Sequence, residues 1–269
     1  MTPSLPAPIE HALQLADASW LETLRAGLAA MHAADPAYLA TLASGDYLPT
    51  QNRLFAAFAQ PRSKVRYVLV GEGPYPRAES ATGVCFMDGA VKSLWSDEAG
   101  GGLSKAVNRA TSLRNFMKML AVAAGELDVE QTAGSAMSAL AQRARSQPET
   151  WIQTLAQLQA NLEQAGFLLL NATLVFRPDV PPVKDGRAWQ PFLQRILQEL
   201  ASAPAPGQPL PTLVLWGKIA QQLEALPVLA DLPKVVSEHP YNLSFIANTG
   251  MQQLFGPLKL LRQPMLRQP

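Results

Sequence analysis

The residues able to do chemistry stand at the ends of short apolar runs. Gly71-Glu72-Gly73-Pro74-Tyr75-Pro76 follows VRYVLV, Asn171 closes FLLLN, and Gly217-Lys218 closes TLVLW. His239-Pro240-Tyr241-Asn242-Leu243-Ser244 follows KVVSE, and Ala81-Thr82-Gly83-Val84-Cys85-Phe86 lies soon after the first run. An Asn amide offers one acceptor and two donors and so reads a flat hydrogen-bonding partner. A histidine donates a hydrogen bond to charge growing on a departing group. Of the three histidines (His11, His32 and His239), only His239 has a suggestive context. Glu72 adds a carboxylate, and Tyr75 and Phe86 add rings that stack on a π-face. Each residue alone also has a plain structural role: a strand-end Asn, a core Phe, a loop Tyr. Ser112, Ser237 and Ser244 similarly read as cap or turn residues.

Positioning these residues together requires a sheet. The runs Val65–Gly71, Phe167–Asn171, Thr212–Gly217 and Lys234–His239 are strand-length and lack polar alternation. That pattern predicts strands covered on both faces, as in a parallel sheet. Helical patterns over Ser112–Ala124, Thr150–Gln164, Trp189–Ala201 and Ile219–Ala225 alternate with them. The fold class is therefore α/β, a three-layer α/β/α sandwich with a central four-stranded parallel sheet. Ligands bind such sheets at the carboxyl ends of the strands, where the polar loops lie. Ala and Leu at helical spacing (Ala12, Leu13, Leu15, Leu21, Leu24, Leu28) predict helices over residues 1–46. The Ala/Gln-rich stretch 126–164 reads as an extra helical layer within one domain, 1–269. Pro178–Pro182 and Ala203–Pro211 mark surface loops, and Gly100–Gly102 a flexible one.

Composition narrows the function classes. The chain has 269 residues, with 22 Lys+Arg against 21 Asp+Glu, which excludes a binder that holds nucleic acid by bulk charge. The charge is nevertheless uneven. Lys105, Arg109, Arg114 and Lys118 form an acid-free basic run, Lys259, Arg262 and Arg267 form another, and the 126–164 stretch is acidic. One cysteine, Cys85, excludes a disulfide framework and a cysteine-rich metal centre, and the histidines lack zinc-ligand spacing. No window approaches a membrane span and no signal peptide opens the chain, so a soluble, cytoplasmic protein is expected, without metal or cofactor.

Taken together, the motifs resemble the family 1 uracil-DNA glycosylases. That family carries GQDPYH after its first strand, G-[LV]-x-F ten residues beyond the Asp, then LLLN, LLWG and HPSPLS. This chain has GEGPYP, GVCF at the same interval from Gly73 to Gly83, LLLN, VLWG and HPYNLS, in the same order. PTQNRLFAAF, SLRN and GRAWQPFLQRILQEL extend the resemblance from about Tyr47 to about Leu261.

The resemblance implies a monomeric DNA repair enzyme that acts on uracil-containing DNA and hydrolyses the N-glycosidic bond of a flipped-out base. It assigns Asn171 to the uracil edge, Phe86 to stacking on the base, and Tyr75 to excluding a thymine methyl. Gly71 and Gly73 fall within the first, base-binding motif. His239 would donate to uracil O2, and Leu243 would enter the duplex where the base was. Ser112, Ser237 and Ser244 would meet phosphates.

The chain also departs from the family. The water-positioning Asp is Gly73, the Gln before it is Glu72, and the His after Tyr is Pro76. Tyr241 and Asn242 replace Ser and Pro. GEGP resembles the GEAPG motif of superfamily branches that also lack this Asp and still excise uracil. Three readings stay open: an enzyme in which Glu72 supplies a nearby carboxylate, a protein that binds uracil-containing or damaged DNA with little or no cleavage, or an interaction protein on an abandoned fold, against which the retained base-reading positions speak.

Overall fold

A computed structural model describes residues 4–202, 209–224 and 226–264. Ala225, Arg267 and most of the Ala203–Pro211 loop lie outside the described residues. The strands are β1 (Tyr67–Gly71), β2 (Phe167–Asn171), β3 (Thr212–Trp216) and β4 (Lys234–Ser237), in sheet order β2-β1-β3-β4. β1 pairs in parallel with β2, Tyr67 opposite Phe167 through Gly71 opposite Asn171, and with β3 from Tyr67 opposite Thr212. Leu213 N–H donates to the Pro233 carbonyl at 2.8 Å and Gly217 N–H to the Ser237 carbonyl at 3.0 Å. Both chains advance by the same step between these bonds, so β4 also runs parallel. Val and Leu fill β1, β2 and β3, which are buried through their centres. β4 is an edge strand, as β2 is at the other side of the sheet. Val236 on it is 42% exposed, so this run is not covered on both faces as its composition suggests.

The helices are α1 (Ala7–Ala12), α2 (Leu21–Ala34), α3 (Tyr38–Ala43), α4 (Lys105–Arg109), α5 (Thr111–Ala123), α6 (Gly134–Ser146), α7 (Leu155–Gln164), α8 (Pro182–Ala201), α9 (Lys218–Glu224) and α10 (Thr249–Phe255). They flank the sheet as the outer layers of an α/β/α sandwich. Two boundaries differ from the sequence reading for identifiable reasons. Helix α8 starts at Pro182, before Trp189, because Pro at the first helical position is pre-set for helix entry. Helix α7 starts at Leu155 because Thr154 and Gln157 form a reciprocal capping box.

The described residues form two compact units. One is built from segments within Met1–Asp88, Gly166–Val214 and Gln221–Lys234, the other from Gly89–Ala165, Leu215–Ala220 and Val235–Pro269. In the first, α2 packs on α8 so closely that a Cβ at Gly27 would lie 2.7 Å from the Phe192 ring. Phe55, Phe58, Trp189 and Phe192 form its aromatic core. Asp185, at 2% exposure, is held by Tyr38 Oη at 2.6 Å and by both Arg177 Nη2 and Nε, so the buried charge is fully met.

In the second unit, Phe116, Trp216, Phe245 and Phe255 pack edge to face or tilted. The 126–164 stretch belongs to this unit and contains α6 and α7, with residues 126–133 outside any helix. Glu126 pairs with Arg143 and with Arg262, and Arg262 lies over the Trp151 ring at 3.6 Å. The acidic stretch is thereby neutralised in part by one of the basic segments.

Candidate active site

In the first unit, β1 and β2 end side by side at Gly71 and Asn171. The chain beyond them stays paired: Ala172 N–H donates to the Gly71 carbonyl at 2.8 Å and Thr173 N–H to the Glu72 carbonyl at 3.1 Å. Asn171 is 3% exposed. Its Oδ1 is a buried acceptor without a hydrogen-bond partner, one of several such buried polar atoms among the described residues, and it lies where β1 and β2 end. Gly71 makes room for it, since a Cβ there would lie 3.0 Å from Asn171 Oδ1 and 3.0 Å from Cys85 Cβ. Cys85 is buried, and burial pushes its thiol up to about 12, so it stays protonated and inert.

The 82–87 loop is pinned at several points. Cys85 N–H donates to the Leu169 carbonyl at 3.1 Å, and Thr82 Oγ1 donates to the Met87 carbonyl and accepts from Val84 N–H. Gly83 has φ +83°, and a Cβ there would stand 2.0 Å from the Arg53 carbonyl oxygen. Gly83→Ala is expected to destabilise the protein by about 2–4 kcal/mol, read as a lower denaturant midpoint; an unchanged midpoint would show that the loop relaxes freely. These contacts hold Phe86 at φ +66°, a backbone region that non-glycine residues seldom occupy and that clusters at functional sites. Phe86 is half-buried, and Tyr75 Oη donates to its carbonyl at 3.4 Å. Burial, then the Asp88 carboxylate and Cys85, push the Tyr75 phenol up to about 12, so it remains a neutral donor.

Glu72 and Gly73 are exposed. A Cβ at Gly73 would meet only Thr173, at 3.5 Å from its carbonyl oxygen and 3.8 Å from its Cβ, which is ordinary contact. Gly73 is thus unlike Gly71: the backbone accepts a side chain there.

The second unit carries the other group. Gly217, at φ +59°, lets the chain pass close to His239; a Cβ would lie 2.9 Å from His239 Cβ. His239 is exposed, and its Nδ1 accepts the Tyr241 N–H at 3.1 Å. An accepting Nδ1 carries no proton, so the neutral ring holds its proton on Nε2. Glu238 turns to other partners. Burial opposes its charge, but hydrogen bonds from Ser244 and from Asn248 Nδ2, the latter at 3.0 Å, hold its carboxyl below the usual range. Ser237 Oγ donates to the Glu238 carbonyl. Ser112 lies inside α5, which begins at Thr111, and is not its cap. Leu243 and Ser244 are exposed beside His239 in sequence.

The first unit therefore gathers Gly71, Glu72, Gly73, Tyr75, Phe86 and Asn171. The second carries Ser237 at the end of β4, His239, Leu243 and Ser244 in the segment that follows, and Ser112 on α5. No family model matches the chain. The solved wild-type UNG structure from Nitratifractor salsuginis is 38% identical, superposes with a TM-score of 0.83, and covers 95% of this chain and 97% of that one. The chain belongs to the uracil-DNA glycosylase family. Its curated relatives include "Uracil-DNA glycosylase 1" of Streptomyces avermitilis, 28% identical over 86% of this chain and 83% of that protein. The uracil-DNA glycosylase of Thermobifida fusca is also 28% identical, over 91% of this chain and 86% of its own length.

Within this family member, two residues that the motif reading passed over organise the loops. Asn115, in the SLRN motif, is fully buried, and its Nδ2 donates to the Pro240 carbonyl at 2.8 Å and lies 3.3 and 3.4 Å from those of Tyr241 and Asn242. Asn248 holds Glu238 and caps α10 through Met251 N–H. A polar side chain on the buried face of an amphipathic helix was the available signal for Asn115. Among the described residues, no cluster of His, Cys, Asp and Glu has metal-holding geometry, and no helix is long and apolar enough to cross a membrane.

Proposed function

We propose that the chain is a monofunctional uracil-DNA glycosylase that hydrolyses the N-glycosidic bond of a flipped-out uracil and leaves an abasic site. The observation that carries this reading is the buried, unpartnered Asn171 Oδ1. Uracil N3–H would donate to it, while Asn171 Nδ2 donates to uracil O4. Cytosine presents an acceptor at N3 and an amino group, so both contacts would fail. Phe86 would stack on the ring, and Tyr75 would fill the space of a thymine methyl.

Bond cleavage sends the C1′–N1 electron pair onto the uracil, and charge grows at O2. The His239 Nε2–H is the donor for that charge. Water then captures the oxocarbenium-like sugar and loses a proton. In the family an Asp positions this water; here Gly73 has no side chain to do so, and the Glu72 carboxylate is the neighbouring acceptor. Because leaving-group stabilisation dominates a dissociative cleavage, loss of the Asp slows the reaction without abolishing it. The partner is uracil-containing DNA, engaged by a monomer without metal or cofactor, and the cytoplasm is the expected location.

Release of free base from oligonucleotides carrying uracil, thymine or cytosine at one position tests the reading. Uracil alone is expected to appear; equal release of cytosine would remove Asn171 from its role. The Gly73 backbone makes a second test practical. Gly73→Asp is expected to change stability by no more than about 0.5 kcal/mol and to raise kcat by up to about 10²-fold, while Glu72→Gln lowers kcat. An unchanged rate in Glu72→Gln would remove that carboxylate from the mechanism.

A further inference from the structure

Tyr241 and Leu243 are 67% and 69% exposed, the highest values for large hydrophobic side chains among the described residues. They stand two positions apart on the His239 loop, whose backbone is tightly held. Asn115 Nδ2 reaches the carbonyls of Pro240, Tyr241 and Asn242, Tyr241 N–H donates to His239 Nδ1, and Asn242 N–H donates to the His239 carbonyl at 2.9 Å. An exposed tyrosine on a fixed backbone presents its ring at little further ordering cost.

The helix that supplies Asn115 is also cationic. Arg114 lies beside Asn115, its Nε 3.4 Å from Asn115 Oδ1, and Lys118 follows one turn later. Arg109 ends α4 in exposed position, and no acid occurs between Glu98 and Glu126. Lys105 pairs with Glu98, which leaves Arg109, Arg114 and Lys118 as the cations nearest in sequence to Asn115. Helix α5 packs against the Leu243–Ala247 turn, so these charges and the two exposed side chains share one unit. Cations on the helix that anchors this loop, with an exposed aromatic ring on the loop itself, are the combination that holds a single nucleic-acid strand, with phosphates on the cations and a base on the ring.

We infer that Tyr241 is a base-stacking residue that holds an unpaired nucleobase next to the target nucleotide and biases the enzyme toward single-stranded DNA. This rests on the uracil-excision reading and deepens it. Leu243 fits a gap already opened in the stack. Tyr241 needs a free base face, which an unpaired strand offers and a duplex yields only after unstacking. A serine at this position, as in the family motif, would offer a phosphate contact; the phenol ring exchanges it for a stacking surface.

The test compares wild type, Tyr241→Ser and Tyr241→Phe on single-stranded and duplex oligonucleotides. Kd is read on strands that carry no uracil, and KM and kcat on strands that do. Tyr241→Ser is expected to raise Kd and KM on single strands about 5- to 100-fold, with the effect in KM and not in kcat, and to change duplex binding less. Tyr241→Phe is expected to restore the wild-type values. With 2-aminopurine beside the target position, wild type and the Phe variant are expected to quench its emission and the Ser variant not to. Equal Kd for wild type and Tyr241→Ser overturns the inference, as does failure of Phe to rescue, which would assign the contact to the hydroxyl. Because Kd needs no excision, a wild type that binds through Tyr241 but releases no uracil would fault the functional reading alone.

Discussion

His239→Ala is expected to lower kcat for uracil release by about 10²–10³-fold while KM changes little. The backbone dictates this split. The Tyr241 N–H fixes Nδ1 as an acceptor and leaves the proton on Nε2, so the ring is set as a donor before any substrate arrives. Such a donor gains most as charge develops on uracil O2, and an interaction stronger in the transition state than in the ground state appears in kcat. Single-turnover rates under enzyme excess are the measurement. A fall in affinity with an unchanged single-turnover rate would assign His239 to DNA binding instead.

Asn171→Leu is expected to show the opposite pairing of stability and activity. Leucine has nearly the same shape but neither donor nor acceptor. In the unliganded protein Asn171 Oδ1 is already buried without a partner, so replacing it removes a desolvated polar group. Stability is expected to stay within about 1 kcal/mol of wild type, or to rise. Activity is expected to fall about 10²–10⁴-fold in kcat/KM, because the proposed contacts to the uracil edge would both be lost. A core asparagine with only a structural role would do the reverse, unfolding the protein more readily and sparing any activity that remained. Thermal melts beside excision rates separate the two.

Much of this architecture is legible in the sequence, for physical reasons. The β1, β2 and β3 runs are continuous Val and Leu because both faces of a parallel strand are buried, and their boundaries follow within a residue or two. Asn171 closes β2 and His239 follows β4 by two residues, at the strand ends where ligands bind such sheets, which is why they stand out in the sequence. What the sequence hides is set by tertiary contact. The edge position of β4 depends on strand order, which composition does not encode. The difference between Gly71 and Gly73 is invisible in GEGP, since it comes from Cys85 and Asn171 crowding one and only Thr173 lining the other. Asn115 reads as one more helix residue until the carbonyls of Pro240, Tyr241 and Asn242 are seen to converge on its amide. The left-handed Phe86 likewise follows from Gly83 packed on the Arg53 carbonyl and from Thr82 Oγ1 tying back the Met87 carbonyl.

The most direct measurement is the formation of abasic sites when the protein, in excess, is mixed with single-stranded DNA carrying one uracil. The account predicts alkali-labile breaks at the uracil position that accumulate with wild type, slow about 10²–10³-fold with His239→Ala, and are absent from matched thymine DNA. Intact uracil DNA after hours with excess wild-type protein would contradict it.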